Sequence, residues 1–234
     1  MIRRYLAREW KLSNHFWQGL LIACAAAFVV IFGLMSLSDV ENVREGSAIT
    51  VPAVIVCAVG LIATFFSALS NFSYRFNFAV QMSVRRRDYA LAAFLLHLFG
   101  MVAVLAEAVV LSLVFGLITG KQGLQHVAAW LPWVLAAVPL AIGLGWLTGA
   151  VLQRFGATAY LIIWLVIVFG GTLISRLIEW SYMDGAATPV GRAVQAIGDG
   201  FLALGMAGLQ ILLAVAGVAL CLVSWAIQHR QEVR

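Results

Sequence analysis

Glu107 is the one carboxylate that falls deep inside an apolar run of this 234-residue chain. An ionisable group at that depth is costly. It either lines a path for substrate or protons, or is a neutral glutamic acid joined to a neighbouring helix. Gln210 lies about as far from the outer end of its own run, which travels in the opposite direction, so Glu107 and Gln210 are expected to meet as an interhelical polar pair. The second group with a chemical pattern is Arg85, Arg86 and Arg87, three consecutive forked donors suited to acidic or carbonyl-rich grooves and to anionic lipid. Enzyme signatures are missing: the chain has no HExxH, no GxSG and no intramembrane pair of aspartates. His15, His97, His126 and His229 are scattered without metal-ligand spacing, and Cys24, Cys57 and Cys221 sit in apolar runs where a thiol acts as a small hydrophobe. The segment GLITGK (116–121) is one spacer short of a phosphate loop and is followed by Gln122, so it is rejected. No catalytic residue and no metal site are expected.

The elements that must carry these residues are membrane helices. The chain is 63% hydrophobic and 11% charged with a mean hydropathy of +1.00, against roughly 45–50% and about 25% for a soluble domain. The expected fold is all-α: a polytopic membrane protein forming one domain over 1–234, with no cleavable leader and no soluble domain of its own. Six runs have spanning length, at 17–37, 50–72, 91–118, 130–152, 158–178 and 201–227. With the N-terminus inside, the inner segments hold Arg3, Arg4, Arg8, Lys11, Arg75, Arg85, Arg86, Arg87, Arg154, Arg230 and Arg234, against Arg44, Lys121, Arg176 and Arg192 outside. That bias predicts that both termini are cytoplasmic.

Residues 1–16 separate into an apolar and a basic arc, which predicts an interfacial helix lying in the membrane plane. Glu9 breaks the apolar arc and is expected to face the arginine block. The segment 73–89 is the basic cytoplasmic connection between the second and third spans. In the outer loop 179–200, Thr188 and Pro189 signal the start of a short helix. Pro139 is expected to kink the fourth run, Gly145 and Gly149 give it a face for close helix contact, and Trp130, Trp133, Trp180 and Trp225 read as interfacial anchors.

An interfacial first helix, six spans with both ends inside, a basic loop after the second span and a short outer helix before the sixth together resemble the membrane subunit of ABC-type exporters with six helices per subunit. The likeness is to small bacterial permeases encoded apart from their ATPase, whose loop after the second span reads FA-x-x-MG-x-[ST]-R-[RK]-x-[FY]. Phe78, Ala79, Met82, Arg86, Arg87 and Tyr89 match it, while Ser83 stands in place of glycine and Arg85 in place of a hydroxyl residue.

The resemblance implies that Met82, Ser83, Val84, Arg85, Arg86, Arg87, Asp88 and Tyr89 form or border a coupling helix that docks on an ATPase, with Val84 and Tyr89 supplying apolar contact. It implies two copies of an ABC ATPase that bring ATP and Mg, and a second permease subunit, identical or related. It further implies a place in the bacterial cytoplasmic membrane among lipid, with no cofactor in this chain and no nucleic acid, and export of an amphipathic peptide, lipid or drug-like cargo. The competing expectation is a self-contained secondary transporter or channel working through Glu107.

Overall fold

The computed structural model describes residues 2–37, 47–81, 85–119, 123–183 and 188–229, and these residues are all-helical. Five helices are long and apolar enough to cross a membrane: Ser13–Leu37, Ile49–Arg75, Arg86–Thr119, Val127–Gly156 and Gly205–Gln228. The chain is therefore consistent with a multi-pass membrane protein. Large apolar side chains such as Val30, Leu34, Ile62 and Leu222 are more than half exposed. Such surfaces belong against hydrocarbon, where there is no penalty for leaving them outside the bundle.

Helix α1 runs unbroken from Ile2 to Leu37, 36 residues or roughly 54 Å. The helix expected over 1–16 is thus continuous, from residue 2 onward, with the first candidate span, Ser13–Leu37. No glycine or proline precedes Gly19, so nothing in the sequence stops the helix from continuing.

Helix α2 (Ser47–Ser70) passes into a π-helical turn, Asn71–Arg75, and then into the short α3, Phe76–Gln81. Helix α4 starts at Arg86 and ends at Thr119. The basic connection expected over 73–89 is thus mostly helix, drawn from the extended ends of two spans. Met82, Ser83 and Val84 lie outside the described residues.

Helix α5, Gly123–Tyr182, is broken once, at Gly156, where φ is +76° and ψ −171°. That conformation is open essentially to glycine alone. The break divides α5 into two arms, α5a (123–155) and α5b (157–182). Helical dihedrals continue through Pro139, and Gly156 is where the backbone of α5 leaves the helical region. The amphipathic α6, Pro189–Ala203, begins where expected: the Thr188 hydroxyl accepts from Gly191 N–H at 3.0 Å and Pro189 opens the first turn. Helix α7, Gly205–His229, closes the described chain.

Close approaches set the directions of these helices. A Cβ added to Gly145 would lie 2.5 Å from the Phe65 carbonyl oxygen, and one added to Gly149 would lie 2.7 Å from that of Leu69. The small-residue face of α5a therefore seats directly on the backbone of α2, and because both contacts advance together the two helices are parallel. Gly143 meets Gly217, Gly217 meets the backbone at Leu140, and Gln153 meets Gln228, so α5a and α7 are parallel too. Trp17 covers Gly100 and Phe28 packs on Phe115, which makes α1 parallel to α4. Gly60 against Val104 and Asn71 against His97 make α4 antiparallel to α2. Consequently α2, α5a and α7 all end, and α4 begins, at one end of the bundle. Trp130, expected at an interface, is instead buried in the core, as is Trp17, whereas Trp180 remains exposed.

Candidate functional site

At the end of the bundle where α4 begins, the sequence places Asn71, His97 and Gln228 among apolar neighbours, and all three are buried. A bare amide or imidazole there is destabilising without partners. The π-helical turn is part of the answer. Its extra residue lets Phe76 N–H reach back to the Asn71 carbonyl, five residues earlier, and leaves carbonyls that a regular helix would have paired otherwise. The Ser73 hydroxyl donates to the Leu69 carbonyl at 2.9 Å, a local bond that bends helices.

Side chains from three other helices then converge on this turn. Tyr89 of α4 donates its phenol to the Asn71 carbonyl at 2.9 Å. Gln228 of α7 donates to the Phe72 carbonyl at 2.9 Å and to Gln153 Oε1 of α5a at 3.1 Å. Arg86 of α4 donates to the Gln228 carbonyl at 3.2 Å. Asn71 Nδ2 lies 3.2 Å from His97 Nε2, while His97 Nδ1 faces the Ala93 carbonyl at 2.5 Å. The two ring nitrogens of His97 thus each face a polar partner, one on α4 itself and one on the turn after α2. Around these bonds Phe72 stacks on Trp146 at 4.2 Å between centroids, and Phe76 meets Tyr89 edge-on at 5.5 Å.

The arrangement is a clamp. Four spanning helices are fastened to one short turn by directional bonds in a buried, low-dielectric setting. The groups gathered there are amides, a phenol, an imidazole and the Arg86 guanidinium, and among the described residues no cluster of His, Cys, Asp and Glu could hold a metal ion.

The residues expected to couple to a partner divide in the structure. Arg85 and Arg87 are exposed, Arg86 is half-buried in the clamp, and Asp88 is half-buried in the first turn of α4. Tyr89 corrects the expectation that it offers apolar contact to another protein. It is only 1% exposed and belongs to the core, because its ring fills the space beside Phe72 and Phe76 and its phenol has an internal acceptor. Met82, Ser83 and Val84 lie outside the described residues, as does the side chain of Glu9.

Glu107 lies on α4 facing α1, within electrostatic reach of Cys24. Its Oε2 is buried and has no hydrogen-bond partner among the described residues, so no bond runs from that atom to the half-buried Gln210 of α7. The expected pair is not brought together there because α4 packs on α1 and α2 along this stretch. The reasoning from matched depth ignored rotation about the helix axis, which selects the neighbour a side chain meets.

Asn71, His97 and Gln228 had a signal that could have found them, since polar side chains in apolar runs need interhelical partners. Their convergence on a π-turn had none. No protein-family profile, curated protein or solved structure matches the chain.

Proposed function

We propose that this chain is the membrane subunit of an ATP-driven exporter of the ABC type, paired with a second permease subunit and worked by separate ATPase subunits at its arginine-bearing, cytoplasmic end. The observation that carries the reading is the clamp. A load applied near Arg85 enters α4 within one residue, and through Tyr89, Arg86 and Gln228 it reaches α2, α5a and α7. A coupling segment must pass ATPase movement to several helices at once, and bonded helices move as a body.

The six-span topology belongs to the same reading. The chain leaves α5a at the arginine-bearing end and enters the parallel α7 at the other, so it has to travel back, and α5b with its 26 residues, or roughly 39 Å, has the length to do so. Six crossings return the C-terminus to the side of the N-terminus. Cargo would be amphipathic, in keeping with a path of mostly apolar lining.

The test is recovery of an ATPase with this chain, gently solubilised from its native membrane. An Arg85→Glu variant keeps the clamp, since Arg85 is exposed and outside it, yet is expected to lose the ATPase at equal membrane insertion. Absence of any ATPase from the unaltered chain would sink the reading.

Glu107 favours a second reading, a self-contained transporter or channel. A buried carboxyl oxygen with no partner, next to α1, is a group that a proton or cation could serve. This reading expects Glu107→Gln to abolish coupling to a pH gradient in reconstituted vesicles, whereas the exporter reading expects ATP-dependent transport to survive the exchange.

A further inference from the structure

The three arginines have three environments, and the third lines a groove. Arg87, the second residue of α4, stands at the mouth of a cavity of about 420 Å³ lined also by Leu91 and Phe94 of α4, Trp146 of α5a, and Leu222 and Trp225 of α7. The groove is mostly apolar, and Arg87 is the one charged residue of its lining among the described residues. Along α4 it runs from Arg87 to Phe94, seven residues or roughly 10 Å into the span. Its rims are apolar and open outward: Leu91 is 46% exposed and Leu222 is 61% exposed.

An occupant must therefore be anionic at one end, where the helices leave the membrane, and hydrocarbon below. It must also be reachable sideways from lipid. We propose that this groove binds one anionic phospholipid, with its phosphate on Arg87 and an acyl chain along Leu91, Phe94 and Leu222. The guanidinium supplies a forked donor to phosphate oxygens, and the aromatic walls give the chain a fixed apolar surface. A free phosphate would meet the arginine but gain nothing from the groove. The inference stands apart from the exporter reading, since it concerns Arg87 and the groove with no ATPase present. It also separates the arginines: Arg86 holds the clamp, Arg85 is exposed and is not among the groove's lining residues, and Arg87 receives lipid.

Mass spectrometry of the intact chain released from detergent tests this, with phosphatidylglycerol titrated against phosphatidylcholine of the same acyl chains. The expected result is retention of one phosphatidylglycerol at concentrations where phosphatidylcholine is not retained. Arg87→Gln should weaken retention about tenfold, the scale of one lost charge-assisted contact, while Arg85→Gln leaves it unchanged. Excess glycerol 3-phosphate should not displace the lipid. Because Arg87→Gln could disturb the start of α4, Ala90→Phe, at a position that also lines the groove, provides a second arm: it keeps every charge, fills the groove beside Arg87, and should also abolish retention. Equal retention of the two lipids overturns the proposal. So does equal weakening by Arg85→Gln and Arg87→Gln, which would show attraction to the basic surface as a whole, or retention that survives Ala90→Phe in a folded chain.

Discussion

At the scale of single residues, the clamp ranks its own members. Tyr89 is one of two donors to the Asn71 carbonyl, since Phe76 N–H also reaches it, so Tyr89→Phe leaves no acceptor bare. Its expected cost is about 0.5–1.5 kcal/mol. Gln228 is different, because its amide serves the Phe72 carbonyl and Gln153 Oε1 together in a site only 1% exposed. Gln228→Leu leaves both acceptors short and is expected to cost about 1–3 kcal/mol, the desolvation penalty of buried groups without partners. Thermal unfolding of the two variants in detergent checks the order. A Tyr89→Phe chain less stable than Gln228→Leu would mean that the clamp is held at α4 and not at α7.

At the scale of elements, stability is set by how closely backbones approach. Gly145 faces the Phe65 carbonyl and Ala68, and both are fixed parts of α2. Gly145→Val therefore has to push two helices apart, with an expected cost of at least 1–3 kcal/mol. Gly19 also sits inside a long helix, but a Cβ there would meet nothing within 4 Å. Gly19→Ala is expected to leave stability unchanged or raise it by about 0.5–1 kcal/mol through helix propensity. The same unfolding measurement made on both separates packing from propensity, and a neutral Gly145→Val would refute the close contact of α2 with α5a.

At the scale of the whole molecule, the issue is which way the chain faces. Single cysteines at Arg85 and at Arg192 of α6, placed in a chain whose native Cys24, Cys57 and Cys221 are buried, report on opposite ends of the bundle. In intact cells an impermeant thiol reagent should label Arg192→Cys and spare Arg85→Cys, with Arg85→Cys labelled only after the membrane is opened. Labelling of both from the outside would mean that α5b does not cross and that the return path between α5a and α7 lies elsewhere.

The sequence by itself determined the class of molecule, most of the spans, the start of α6 at Thr188 and Pro189, and the packing face of Gly145 and Gly149. Each of these follows from composition, run length or local backbone chemistry, which act over a few neighbouring residues. Only the tertiary structure decided which helix each polar side chain meets. It turned Tyr89 inward, left Glu107 Oε2 with no bond to Gln210, ran α1 without interruption from residue 2 into the first span, and gathered Asn71, His97, Gln153 and Gln228 at one turn. Those outcomes depend on rotation and register between helices distant in sequence, and on one extra residue in a π-turn, none of which leaves a periodic trace in the chain.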